Sequence, residues 1–70
     1  MNRTPVASSR IASMGWENNE TMEVEFSTGA VYQYSNVSKE LYDKVVSTDS
    51  VGQAFNMLIK NNSEIPYKKL

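Results

Sequence analysis

The stretch TMEVEFSTGAVYQY, residues 21–34, predicts a β-hairpin. Thr21–Phe26 alternates apolar residues with glutamates, which is the period of a strand with one buried face. Gly29 follows at the turn, where it is free to adopt positive φ. The run Ala30–Tyr34 is again rich in β-forming residues and places its two tyrosines on one side. The hairpin therefore anchors a β-sheet.

A further strand is predicted before the hairpin, over residues 6–16, with a break near Gly15. The serines of this segment are poor residues for a helix interior, because their hydroxyls compete for backbone hydrogen bonds. The polar run Glu17–Glu20 is typical of a turn in which Asn18 and Asn19 tolerate left-handed backbone.

Two helices are predicted after the hairpin. Ser38 is in the position of an N-cap for the first. Ser50 begins the second and precedes Gln53 by three residues, the spacing of a capping box. The second helix carries one apolar stripe, formed by Val51, Ala54, Phe55, Leu58 and Ile59. A proline then stops any helix, and residues 61–70 are predicted to be an extended tail.

Strands followed by helices indicate an α+β domain: a small antiparallel sheet of about three strands with two helices packed on one face. Residues 1–70 are predicted to form a single domain with a core over residues 6–60. A chain of this size buries only ~60% of its unfolded surface. Because the chain has no cysteine or histidine, neither a disulfide nor a structural zinc site can compensate for this small buried surface. A homodimer is one remaining means of stabilisation.

The composition narrows the function classes. No apolar run approaches the ~20 residues of a membrane helix, and the first ten residues lack the apolar region of a signal peptide. We therefore expect a cytoplasmic protein with no membrane partner. Seven basic and eight acidic residues give a net charge of −1, which argues against a strongly electrostatic partner. Because histidine and cysteine are absent, we expect no enzyme activity, metal or cofactor.

Several short motifs occur in order along residues 6–60: Ser8-Ser9, Gly15-Trp16, Phe26-x-x-Gly29-x-x-Tyr32-x-Tyr34, Val37 and Ser50-x-Gly52-x-x-Phe55-Asn56-x-x-Ile59-Lys60. Together they resemble the KTSC domain, which is named for its similarity to a carboxy-terminal extension of some lysyl-tRNA synthetases. Trp16 stands where tyrosine is expected, and Ser38 where proline is common. The resemblance implies a free-standing domain of the kind carried by bacteria and their phages, with a link to RNA.

Gly52 is the least expected residue of the second helix, because glycine costs about 1 kcal/mol relative to alanine there. The favoured interpretation is that it lets the helix approach the sheet near Ser8 or Ser9. Alternatively it leaves room for an anion at the start of the helix. Asn56 and Lys60, one and two turns further on, would then offer an amide and an ammonium group along the same polar line.

The serine and tyrosine pairs each have two interpretations. Ser8 and Ser9 face opposite sides of a strand, so only one hydroxyl can face a pocket. That hydroxyl binds a phosphate or, as is more common, satisfies nearby backbone. Tyr32 and Tyr34 form a stacking platform for bases or part of the core, and the small size of the domain favours the core. Trp16 carries the same two alternatives.

The preferred hypothesis is a small non-catalytic binding module whose ligand bears phosphate, either RNA or a nucleotide. Its candidate ligand-binding residues are Ser8, Ser9, Tyr32, Tyr34, Gly52, Asn56 and Lys60. A protein–protein interaction module, such as a phage-type inhibitor of a host protein, is the first alternative, because interfaces are enriched in Tyr, Trp and Met. A dimer that sequesters a nucleotide signal is the second.

Overall fold

The protein has an α+β fold in which one antiparallel sheet packs against helices. The computed structural model describes residues 2–70, so that Met1 of the predicted domain lies outside it. The strands of this range are β1 (Thr4–Pro5), β2 (Ile11–Glu17), β3 (Thr21–Phe26), β4 (Val31–Tyr34) and β5 (Tyr67–Lys69). The helices are α1 (Lys39–Val46) and α2 (Val51–Phe55), and α2 continues into a π-helical segment, Asn56–Lys60, called the π turn below.

The sheet has the order β1-β2-β3-β4-β5, and every pairing is antiparallel. The prediction of about three strands was wrong, because the described chain forms five. The two additional strands are only two and three residues long, too short to show an alternating pattern. β5 comes from the tail and pairs with β4 so that Tyr67 is opposite Tyr34. Ile65, just before β5, is buried in the core.

The first predicted strand, over residues 6–16, differs from the observed strand β2, which is Ile11–Glu17. β2 continues through Gly15, which pairs with Glu23, so the predicted break near Gly15 is wrong. The predicted start at Val6 is also wrong, because β2 begins at Ile11 and residues 6–10 form the connection between β1 and β2. In the following turn Glu20 adopts the left-handed conformation, with φ of 61°, rather than either asparagine. Its N–H donates to the Glu17 carbonyl at 3.1 Å, which closes the turn.

The hairpin and the helical stripe form the core as predicted. Met22 and Val24 are fully buried, and Gly29 has φ of 95° at the turn. The buried apolar residues form one cluster: Ile11, Met14, Met22, Val24, Tyr34, Val37, Val45, Val51, Phe55, Ile59 and Ile65. The opposite face of the sheet is polar, and Arg3 there forms ion pairs with Glu23 and Glu25. The cluster thus joins one sheet face to both helices.

The helix starts differ from each other. Ser38 caps α1, because its Oγ accepts a hydrogen bond from the Leu41 N–H at 3.1 Å. Ser50 makes no side-chain capping bond, so the predicted capping box does not form. Trp16 fixes the approach to α1 by donating its Nε1–H to the Val37 carbonyl at 2.7 Å. None of the helices in residues 2–70 is long and apolar enough to cross a membrane.

Candidate functional site

A continuous groove runs along α2 and the π turn, where they lie beside the ends of β2, β3 and β4. It consists of three adjoining depressions of about 460, 290 and 440 Å³, called here the serine, central and aromatic depressions. Gly52, Asn56 and Arg10 line both the serine and the central depression. Lys60 and Phe26 line both the central and the aromatic one. The shared residues make the three depressions one surface.

All seven candidate residues from the sequence lie along this groove. Ser8 and Ser9 line the serine depression, and Tyr32 and Tyr34 line the aromatic depression at the other end. The remaining three, Gly52, Asn56 and Lys60, lie between them. The structure therefore brings together residues that are up to 52 positions apart, from Ser8 to Lys60.

Gly52 allows close packing between α2 and the loop before β2. A β-carbon placed on Gly52 would lie 2.9 Å from Ser8 Oγ, which is closer than side chains tolerate. The same Oγ accepts a hydrogen bond from the Arg10 N–H at 3.3 Å. These contacts support the packing account of Gly52 and the backbone-satisfying account of Ser8. Ser9 has an exposed side chain, and its carbonyl accepts from Ser27 Oγ at 3.2 Å.

The two tyrosines of β4 occupy different environments. Tyr34 belongs to the core, where it packs edge-on against Phe55 with 5.4 Å between ring centroids. Its burial, together with the neighbouring phenols of Tyr32 and Tyr67, raises its pKa to about 12. Tyr32 is only half-buried and remains open to the aromatic depression. Tyr34 is therefore a core residue, as the core interpretation predicted, whereas Tyr32 is accessible from the aromatic depression.

Sequence reasoning missed Tyr67, which completes the aromatic depression. Its ring lies 5.9 Å from that of Tyr32 and 5.7 Å from that of Tyr34, yet the residue is 65% exposed. No sequence signal pointed to it, because Tyr67–Lys69 follows Pro66 without an alternating apolar pattern and is too short to reveal a strand. Trp16 does not line the groove, since its indole is engaged with Val37.

The groove has a positive lining in a chain with a net charge of −1. Arg10 and Lys60 line it, and neither makes an ion pair within residues 2–70, whereas Arg3 and Lys39 do. None of the acidic residues lines any of the three depressions. They lie elsewhere in the described structure: Glu17, Glu20, Glu23, Glu25, Glu40, Asp43, Asp49 and Glu64.

The lining of the groove suits anions and aromatic rings. It offers two cationic side chains, the Asn56 amide, several hydroxyls and two accessible tyrosine rings. Arg10 was the other residue that sequence reasoning left out, although it directly follows the serine pair. Nowhere in residues 2–70 do three His, Cys, Asp or Glu side chains converge as they would to hold a metal ion.

The sequence and the fold of this chain are both similar to those of known proteins. Residues 7–62 match the KTSC domain family. The chain is 38% identical over 61 residues to an uncharacterized protein from Stutzerimonas stutzeri, a match that covers 86% of each chain. Its fold is similar to the crystal structure of a KTSC domain protein from Yersinia pestis, with a TM-score of 0.90 and 33% identity. That alignment covers 99% of this chain and 96% of the other.

Proposed function

The chain belongs to the KTSC domain family, as its ordered motifs indicated, and we propose that it is a small non-catalytic binding module for a ligand that bears phosphate, either RNA or a nucleotide. The observation that carries this proposal is the carboxylate-free groove, in which Arg10 and Lys60 lack ion-pair partners within residues 2–70. Cations without an acidic neighbour retain their full attraction for an added anion.

The donors of the central depression suit a phosphate group. Arg10 can present two parallel N–H groups to two phosphate oxygens, and Lys60 supplies a compact positive charge in the same central depression. Asn56 lines the same depression and can add an amide donor. Because the positive charge is local and the whole chain is slightly acidic, we expect modest affinity and a salt dependence set by about two phosphate contacts.

A non-catalytic role is consistent with the groups in the groove. The ionisable side chains of its lining are arginine, lysine and tyrosine, and the chain has no histidine or cysteine. A general base that works near neutral pH is usually a histidine or a perturbed carboxylate. The groove presents neither, so binding is the activity that its chemistry favours.

The alternatives receive less support from the geometry. A protein–protein module would be favoured by large apolar side chains clustered at the surface. The large exposed apolar side chains do not line one depression together: Tyr67 lies beside Lys60 in the groove, whereas Met57 and Leu70 line none of the three depressions. Trp16 is half-buried. A protein that sequesters a nucleotide signal calls for a deep pocket, whereas the candidate site is an open groove. We therefore place RNA or nucleotide binding first.

The test is an NMR titration of the labelled full chain with a short single-stranded RNA and with single nucleotides, at low and moderate salt. We expect amide shifts at Arg10, Gly52, Asn56 and Lys60 that weaken as salt is added. Arg10→Ala and Lys60→Ala should each weaken binding about two- to fivefold. Lys44→Ala, which removes an exposed α1 charge outside the groove, is the matched control. No shifts with either ligand, or equal losses in all three variants, would contradict the proposal.

A further inference from the structure

Tyr67 is a large aromatic residue that is held in place without being buried. β5 pairs it directly with Tyr34, and its ring contacts the rings of Tyr32 and Tyr34. Its 65% exposure nevertheless leaves much of the side chain in solvent. Because the ring is already ordered, little side-chain conformational entropy is lost when a ligand binds to it. This combination is typical of a stacking surface rather than of a core position.

The ring lies beside the positive part of the groove. Lys60 lines the aromatic depression together with Tyr67 and Tyr32, and it also lines the central depression together with Arg10. A ligand that stacks in the aromatic depression thus meets a cation at its border and a second one further along. No carboxylate lines this path. A planar ring followed by successive negative charges is the ligand that matches this order.

We propose that Tyr67 stacks against an unpaired base while Tyr32, whose ring is tilted by 45° to that of Tyr67, contacts the edge of the same base. The ligand of the groove is then a single-stranded nucleic acid whose backbone continues past Lys60 to Arg10. The proposal rests on the function proposed above and names its ligand class. A single nucleotide would occupy one end of the groove and leave the other cation without a partner. A single-stranded nucleic acid places phosphates at both cations.

The depression also predicts the selectivity of stacking. Its polar lining near the tyrosines consists of Thr28, Asn61 and Lys60, without the fixed set of donors and acceptors that a particular base edge requires. Every base has an aromatic face, so stacking on tyrosine tolerates sequence. We therefore expect weak preference among bases and a clear preference for unpaired over duplex nucleic acid.

The proposal is tested by fluorescence anisotropy with a labelled RNA hexamer, the full chain and three variants. Tyr67→Ala should weaken binding about tenfold, because one stacked base is lost. Tyr67→Phe keeps the ring and should bind within about twofold of the wild type. Leu70→Ala removes another exposed apolar side chain of the tail and should leave binding unchanged. Thermal melts followed by circular dichroism confirm that each variant is folded.

A second ligand separates stacking from charge. A hexamer with the same sugars and phosphates but no bases should bind the wild type about tenfold more weakly, and Tyr67→Ala should then cause no further loss. If RNA binding depends on Arg10 and Lys60 but neither Tyr67→Ala nor base removal matters, the stacking proposal is wrong and the proposed function stands. If a mononucleotide binds as tightly as the hexamer, the single-strand class is wrong. If the wild type binds no RNA and no nucleotide, both proposals fail.

Discussion

Ser8 and Gly52 meet so closely that a β-carbon on Gly52 would lie 2.9 Å from Ser8 Oγ. The same hydroxyl accepts the Arg10 N–H, and Arg10 is one of the two cations of the groove. The contact therefore holds the loop that carries Arg10 against α2. The packing interpretation of Gly52 is therefore supported, and the same contact lies beside the groove that Arg10 lines.

This contact predicts strong coupling between the two residues. Gly52→Ala alone should be neutral or destabilising, because Ser8 Oγ must move and lose its bond to the Arg10 N–H. In a Ser8→Ala background the same substitution should stabilise the protein by about 0.5–1 kcal/mol, since alanine is the better helix residue and the two β-carbons would be 4.0 Å apart. Urea unfolding of the four proteins measures this cycle. Additive effects would show that the contact carries no energy.

The two helix-start serines should differ in their contribution to stability. Ser38→Ala removes the bond from the Leu41 N–H and should cost about 1 kcal/mol in the free energy of unfolding. Ser50→Ala removes no side-chain cap and should change stability by less than about 0.5 kcal/mol. The comparison is read from chemical denaturation of both variants. Equal losses would indicate that Ser50 caps α2 after all.

The tail should contribute to stability through one side chain. Ile65 is 6% exposed and packs with the core, so Ile65→Ala should cost about 2–4 kcal/mol. Leu70→Ala, at 59% exposure, is the matched control and should stay within about 0.5 kcal/mol of the wild type. Thermal and urea unfolding give both values. A small loss for Ile65→Ala would mean that the tail adds little to the fold.

The raised pKa of Tyr34 predicts that the protein loses stability at alkaline pH. Burial raises its pKa from 10.0 to about 12, so the folded state favours the neutral phenol. The resulting stabilisation is complete below pH 10 and is lost as the pH rises through about 12. The pKa of Tyr42 is raised as well, mainly by burial and then by the charge of Asp43. This shift also lowers stability at alkaline pH. Unfolding free energies measured across this range should fall less steeply for Tyr34→Phe than for the wild type.

The parts of the fold that were predictable are those with a local signal. Thr21–Phe26 alternates, the α2 stripe repeats at helical spacing, and Ser38 stands at a favourable cap position. β5 has no such signal, because three residues show no period and their partner is more than thirty positions away in β4. Strand pairing between distant segments depends on the shape of the whole core, which local patterns do not encode.

The residues of the candidate site were likewise predictable only where the sequence carries a local signal. Gly52, Asn56 and Lys60 were found because they share one helix line, and Ser8 was expected near Gly52 from the need for close approach. Arg10 and Tyr67 were missed because their roles depend on which charges and rings lie nearby in the folded chain. The absence of carboxylates from the groove is likewise a property of the surface and is invisible in a net charge of −1.

The aromatic depression exists only while β5 is paired with β4, because β5 carries Tyr67. β5 is a three-residue edge strand with every residue exposed, and such strands open at a lower free energy than the core. Its opening would carry Tyr67 away from Tyr32 while β1 to β4 remained paired. A ligand that stacks on Tyr67 binds only the closed form and shifts the equilibrium towards it. Hydrogen exchange at the Leu70 amide, which donates to the Val31 carbonyl at 2.8 Å, should therefore slow when the groove is occupied.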